Sequence, residues 1–584
     1  MAIKNHSLCS LSLPYIGLMT AFLFVSSSTV MFGAMTKHGG LRPSMIQSPL
    51  EGAFRKVSEM ADPYLKTRVL TEMAKKCSLA QQRGMARDIL RTARETSLII
   101  PVTYDQVWAM ANIAREFARA GEPTRAMVLF AKANAFMVAS SDKIGRDTMF
   151  LEMGKLCAEA RLYEQAYRIS ENIDDFYSRS TLVSQIGQGL VLKNEYKKPI
   201  EMMERLVGRP NRSFVQAELA IAFAKAGKVK RSLELANQLL DNSKRAQTLS
   251  AIALSELENG RLTRTIEIAD SLAESNPLAV ELKCKLYLEI AADLKTRGEF
   301  ARGFSTLAKA RKLARTIVNQ TEKAKCIAVV GSMHMSSNQT MRASWVIDEA
   351  LRELGKIRPE KERLEAVLWT SSLMAKSGEK DEAWDLAAQV ADQTKRVKNT
   401  HGERDYLYSK LVDHYLSYKR YDLAHKTARK IKKPQLMLEK YSTIGEHGIC
   451  NNRCNVAEDI AKEITRGRHQ GRLRNNPDLV LTGFASAYIQ NGLFCKSLLM
   501  LRRIDASSLR AVGLSELSAQ YAWFNRVPTQ EESYQIRHIA SKLVFVHRPR
   551  QNGDCHYFFP PRGINMVKRP DSTPANALTH HMER

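Results

Sequence analysis

Small side chains and helix-breaking residues recur along this chain in a fixed order. A small residue is followed seven positions later by a residue suited to a tight turn, and five positions after that by a second small residue. The first small position is held by Ala74, Ala114, Gly154, Gly187, Ala220, Ala253, Ala291, Gly331, Ser371, Gly445, Ala485 and Ala519. The second is held by Ala86, Ala126, Ala166, Pro199, Ser232, Thr265, Gly303, Ala343, Ala383, Ala457 and Ser497, with Glu531 in a degenerate last unit. A further unit at Val412 and Ala424 keeps only the second small residue. Between them lie Gly121, Asn194, Gly227, Gly260, Gly298, Asn338, Gly378, Asn452 and Gly492, while Gln81, Arg161, Lys419 and Arg526 fill the same slot in other units. Larger apolar residues flank the crossing on the same face, as in Met110, Ile113 and Phe117, or Leu481, Phe484 and Tyr488. That spacing predicts one amphipathic pair of helices used repeatedly.

The physics of a helix pair accounts for the order. Two short antiparallel helices need a turn that Gly or Asn makes by accepting a left-handed backbone, and small side chains where they cross closely. Units such as AELAIAFAKAGKVKRSLELA (217–236) and ANIAREFARAGEPTRAMVLF (111–130) resemble the tetratricopeptide repeat. The resemblance implies an all-α, right-handed superhelical solenoid of antiparallel helix hairpins, about 13 units over residues 67–545. Two features depart from the family. Its proline at the end of the second helix is matched only at Pro277, and the interval between units switches between about 33 and about 40 residues. The longer interval predicts longer second helices or longer loops after Ala86, Ala126, Thr265, Gly303, Ala343, Ala383 and Ala457. Residues 147–279 are then the most regular stretch.

In tetratricopeptide proteins the first helices line a concave groove where partners bind. Carried over position by position, that groove is lined by Asn112, Arg115, Glu152, Lys155, Gln185, Gln188 and Glu218. The sign of charge alternates along it, and the basic clamp with which some members capture a C-terminal carboxylate is not repeated. The expected partner is a protein or an extended peptide, held by a scaffold without enzymatic activity.

Charge offers an alternative. Lys and Arg number 88 against 61 Asp and Glu, a formal balance of +27. Basic residues thicken at Lys419, Arg420, Lys426, Arg429, Lys430, Lys432 and Lys433, and again at Arg466, Arg468, Arg472 and Arg474. Such density suits phosphate binding, which makes a cytoplasmic RNA-binding repeat protein the competing expectation. Few aromatic residues accompany the second cluster, which disfavours stacking on bases. No GxxxxGK, HExxH or GxSxG motif occurs, so neither catalysis nor a cofactor is expected. Nine cysteines are too scattered for a disulfide framework. Cys77 and Cys157 fall at core positions, and Cys450 with Cys454 offers at most half of a metal site.

The ends differ from the array. Residues 1–36 contain an apolar run from Leu11, interrupted by Ser26, Ser27, Ser28 and Thr29, and reaching Met35. The run reads as a signal peptide or a membrane anchor, so the protein is expected to be exported or tethered, unless translation starts at Met35 or Met45 and leaves it cytoplasmic. Residues 37–66 read as a linker with a possible N-terminal capping helix. Residues 546–584, with Phe558, Phe559, Pro560 and Pro561, read as a flexible tail.

Overall fold

In the computed structural model, residues 49–140, 145–206, 208–469 and 477–544 are described. The apolar run of residues 1–36 and the tail 546–584 lie outside them. The described residues form 27 helices and no strand. In chain order these are α1 (Pro49–Ser58), α2 (Pro63–Leu79), α3 (Arg83–Ser97), α4 (Thr103–Arg119), α5 (Pro123–Ala139), α6 (Arg146–Glu159), α7 (Tyr163–Ser170), α8 (Phe176–Leu192) and α9 (Lys197–Glu204). There follow α10 (Arg209–Lys225), α11 (Val229–Asn237), α12 (Asn242–Glu258), α13 (Leu262–Ser271), α14 (Pro277–Thr296), α15 (Phe300–Thr316), α16 (Gln320–Met335), α17 (Thr340–Gly355) and α18 (Glu360–Ser377). The chain continues through α19 (Lys380–Thr394), α20 (Glu403–Ser417), α21 (Tyr421–Ala428), α22 (Pro434–Cys450), α23 (Cys454–His469), α24 (Pro477–Gln490), α25 (Phe494–Arg503), α26 (Ser507–Trp523) and α27 (Gln530–Ser541). The even-numbered helices are the first helices of 13 hairpins, and α1 stands before them.

Every hairpin turns through a left-handed residue. Positive φ occurs at Gln81, Gly121, Arg161, Asn194, Gly227, Gly260, Gly298, Asn338, Gly378, Lys419, Asn452 and Gly492, the slots the spacing predicts. In the last unit the slot is Asn525 rather than Arg526, one residue earlier than expected. The residue after each turn donates its amide back across it, as Lys228 does to Phe223 at 2.8 Å and Arg526 to Tyr521 at 2.9 Å, satisfying carbonyls the helix end would leave bare. Starts are set by side chains: Asp62, Asp241 and Asn319 accept amide hydrogens from the first turns of α2, α12 and α16.

The small positions meet at the crossing. Ser232 donates to the Ala220 carbonyl at 2.6 Å and Ser371 to that of Ala383 at 2.6 Å, so the two small residues of one unit face each other. Three of the glycines answer to a further neighbour. A Cβ on Gly445 would lie 2.1 Å from the Phe484 ring, one on Gly154 2.2 Å from Leu182, and one on Gly187 2.6 Å from Leu219. Each of those residues belongs to the first helix of the next unit, so close packing between units, as well as within them, demands glycine there.

Unequal spacing is absorbed by the second helices. After Ala166, Pro199 and Ser232 the short units have second helices α7, α9 and α11 of 8, 8 and 9 residues. Long units lengthen them to 15–17 residues in α3, α5, α15, α17 and α19. The exception follows Thr265, where α13 has 10 residues and the extra length appears in the 20-residue α14. Three short units share a stitch. An Asp near the start of a first helix accepts two amides from the loop that leaves its unit: Asp147 from Asp174 and Asp175, Asp405 from Lys432 and Lys433, Asp478 from Asp505 and Ala506.

First helices touch their neighbours at every step, from α2 and α4 to α24 and α26, whereas second helices rarely touch each other. A stack packed tightly on one side and loosely on the other curves with the tight layer inside. The inner layer then closes on itself, because α26 packs against α2. Lys76 pairs with Glu516 at 2.9 Å and reaches Ser486 Oγ at 3.3 Å. Ser515 donates to the Met73 carbonyl at 3.3 Å, with Cys77 Sγ 3.7 Å from its oxygen. The N-terminal helix completes the joint: α1 packs on α26 and α27 as the outer partner of the last unit, burying its Ala53 and Val57. An open solenoid needs polar caps over its terminal faces; this one covers each end with the other.

Candidate partner-binding surfaces

The residues flanking each crossing point away from the second helix and form the inner face. All seven groove positions read from the sequence lie on first helices and are half-buried. Most have partners within the protein. Asn112 donates to the Trp108 carbonyl at 2.9 Å. Arg115 meets the fully buried Glu116 at 2.9 Å and Glu159 of the next unit at 3.6 Å. Glu152 pairs with Lys155 at 2.8 Å, and Gln188 donates to Glu218 across the joint of α8 and α10 at 3.0 Å. Burial raises the Glu218 carboxyl above its ordinary range, against the pull of Lys225 and Lys244. Gln185 is half-buried beside them.

The first helices also carry residues the sequence reading passed over. Trp108 and Phe214 lie six positions before the small residue of their units, Tyr406 six before Val412, and Trp369 two before Ser371. Each is partly buried, and three carry a cation over the ring: Lys244 over Phe214, Lys325 over Trp369, and Lys361 with Lys410 over Tyr406. Lys285 joins Glu281 and Glu322, each at 2.7 Å, and Lys325 reaches Glu322 at 3.1 Å. Burial weakens the Lys285 charge, but those carboxylates outweigh it and hold its ammonium above the usual range. The inner face is therefore a band of mutually paired charges with half-exposed aromatic rings set into it.

The basic cluster of the sequence divides between the two ends of α21. Lys419 and Arg420 sit at the turn inside a hairpin, while Arg429, Lys430, Lys432 and Lys433 sit in the loop to the next one. Arg429 is engaged, with His425 and Tyr441, by Glu463; burial opposes that carboxylate's charge, but the three hydrogen bonds bring its pKa down to about 2. Lys430, Lys432 and Lys433 are exposed, and no ion pair engages them among the described residues. Arg466 is exposed too, whereas Arg472 and Arg474, and the side chain of Arg468, lie outside the described residues.

Other chemistry-bearing residues are absorbed by packing. Cys77 and Cys157 are fully buried, and burial pushes the Cys77 thiol up to about 11. Cys450 and Cys454 are free thiols, and no cluster able to hold a metal ion occurs among the described residues. Ser372 Oγ lies 2.7 Å from His414 Nδ1, but the imidazole is wrapped by Trp384, Tyr415 and Tyr418 and burial pulls its pKa down to about 4. So weak a base is a packing group. No helix among the described residues is long and apolar enough to cross a membrane.

No protein-family model and no curated protein matches the chain. Solved structures similar to it include a monomeric mutant of IFIT1 with Gppp-AAAA, at 15% identity, covering 71% of this chain and 97% of that one with a TM-score of 0.27. Yeast Tom70 is 17% identical, with 69% and 86% covered and a TM-score of 0.22. A circular tandem repeat protein is 10% identical, with 84% and 98% covered and a TM-score of 0.14. At these TM-scores the functional reading rests on this chain's own residues.

Proposed function

We propose that this protein is a non-enzymatic scaffold that holds a segment of a partner protein against its inner face. The observation that carries the reading is the closed inner layer lined by paired charges and half-exposed Trp108, Phe214, Trp369 and Tyr406. Thirteen helices with axes ~8–10 Å apart give a circumference of roughly 100–130 Å, which leaves an opening of roughly 20–30 Å once a helix diameter of ~10 Å is removed. A 100-residue domain, with a radius of gyration of about 13 Å, is roughly 33 Å across and too wide to enter. An extended chain or a single helix fits, and rings with nearby cations suit apolar and amide groups flanked by carboxylates.

The reading is tested with a photo-crosslinking amino acid at Gln188 or Trp369 in the full-length protein expressed in its own cells. Protein adducts should form from these positions and not from the outward-facing Lys312. Adducts from Lys312 alone, or nucleic acid as the species crosslinked at Trp369, would contradict it. The apolar run from Leu11 to Met35 supports an exported or membrane-tethered location. Fractionation with an alkaline wash and sequencing of the mature N-terminus would show a new terminus near Ser28 or retention in the membrane. A soluble cytoplasmic protein starting at Met35 or Met45 would end that part of the proposal.

A further inference from the structure

We propose that the rim formed by the loops between hairpins binds a nucleic-acid phosphate backbone along one arc, from Lys356 to Arg466. Consecutive first helices stand side by side, so the loops that lead into α18, α20 and α22 line one edge of the array in order, and the C-terminal end of α23 follows them. Exposed cations occupy all three loops, Lys356 and Arg358, then Lys395, Arg396 and Lys398, then Arg429, Lys430, Lys432 and Lys433, and exposed Arg466 near the end of α23 closes the arc.

Lys398, Lys430, Lys432, Lys433 and Arg466 have no carboxylate partner among the described residues. Lys356 pairs with Glu353, and Lys395 and Arg396 share Asp392, through exposed contacts that a denser anion displaces at little cost. The middle of the arc is held in place, because Asp405 binds the amides of Lys432 and Lys433 at 3.1 and 2.9 Å and fixes their loop to the start of α20.

The rest of that rim has a different character. It carries exposed Ile99, Leu240 and Val318 in its loops and exposed Phe176 and Tyr177 at the start of α8, with Glu171, Asp174 and Asp175 next to that aromatic pair. The basic arc has no such anchors: between Trp345 and Leu499 no described large apolar side chain is exposed. Protein interfaces draw most of their affinity from buried aromatic and apolar anchors, and membrane-surface helices insert them. A surface of cations alone gains affinity chiefly by displacing condensed counterions, which a nucleic-acid backbone supplies at the highest density. On helices ~8–10 Å apart the arc covers roughly 20–30 Å, long enough for several successive phosphates of one strand to meet its cations. The absence of exposed rings on the arc means that binding should not discriminate between sequences.

The test is fluorescence anisotropy of the full-length protein with labelled 20-nucleotide RNA and DNA of two unrelated sequences, over a range of salt. Binding should be alike for both sequences and fall steeply with salt. The variant Lys398→Glu, Lys430→Glu, Lys432→Glu, Lys433→Glu should bind at least about tenfold more weakly, with a log–log salt slope shallower by up to about 3, since each single-strand phosphate contact contributes about 0.7. The same charge change placed elsewhere (Lys228→Glu, Lys230→Glu, Lys309→Glu, Lys312→Glu) should leave affinity within about threefold. Circular dichroism of both variants confirms that they fold. No binding, or equal loss in the two variants, would overturn the proposal. So would tighter capture of polyglutamate or of vesicles containing anionic lipid than of either oligonucleotide.

Discussion

Two joints in the inner layer do the same work with different chemistry. Where α22 meets α24, Gly445 lets the Phe484 ring lie against the helix backbone, and the contact is apolar and close. Where α26 meets α2, the contact includes Lys76 with Glu516 and Ser486, and Ser515 with Met73 and Cys77. The first joint connects neighbours in sequence and forms whenever its two hairpins fold. The second brings together residues some 440 positions apart, and its polar groups are satisfied only when the ends meet in one register. Apolar packing tolerates a shift of register more readily than a buried charge does, so the polar joint selects a single closed arrangement.

Removing α1 is the largest way to break that comparison. A chain beginning at Met60 lacks the outer helix of the last unit and exposes the faces of α26 and α27 that Ala53 and Val57 cover. Hydrogen exchange should show the units from α24 onward losing protection while α8 to α14 keep theirs. Uniform protection throughout would mean that α1 is dispensable.

Smaller changes sharpen the contrast. Lys76→Met leaves Glu516, 5% exposed, without its cation and should cost about 3 kcal/mol. Replacing both, Lys76→Met with Glu516→Leu, should recover most of the loss, read as denaturant midpoints. Gly445→Ala forces a methyl group into the Phe484 ring and should cost roughly 2 kcal/mol with no rescue by changes at the seam. The joint of α18 and α20 is tested through pH instead. Burial holds His414 at about pH 4 in the folded protein, whereas the unfolded chain takes up the proton near pH 6.5. Its contribution is complete above pH 6.5 and falls by about 1.4 kcal/mol for each unit of pH between 6.5 and 4. His414→Phe should flatten that part of the stability profile, and an unchanged slope would remove His414 as its source.

The hairpins were legible because local geometry fixes them. A left-handed turn and two small crossing residues recur at set offsets, and even Arg161 and Lys419 take positive φ where the spacing demands it. Closure was not legible. Glu531 makes the last unit look degenerate, yet its Ser515 serves a partner in the first unit, and no periodic signal marks a contact between the ends. The inner face was read in part. Offsets place Asn112, Arg115, Glu152, Lys155, Gln185, Gln188 and Glu218 on first helices. The pairing of Gln188 with Glu218, or of Arg115 with Glu159, depends on the next unit and obeys no offset. The basic arc was hidden for a similar reason. The sequence groups Lys419 with Lys433, while the fold sends them to opposite ends of α21 and aligns Lys433 with Lys398 on the rim.

Closure is tested most directly by Ser515→Cys. The native Cys77 Sγ lies 3.7 Å from the Ser515 oxygen, so in a closed ring mild oxidation with diamide should join residues 77 and 515 within one chain. Non-reducing electrophoresis should then show a faster-migrating monomer that reverts with reductant and is absent from the Cys77→Ala, Ser515→Cys control. Oxidised protein that stays at the mobility of the control, or that crosslinks only between chains, would show that the array is open.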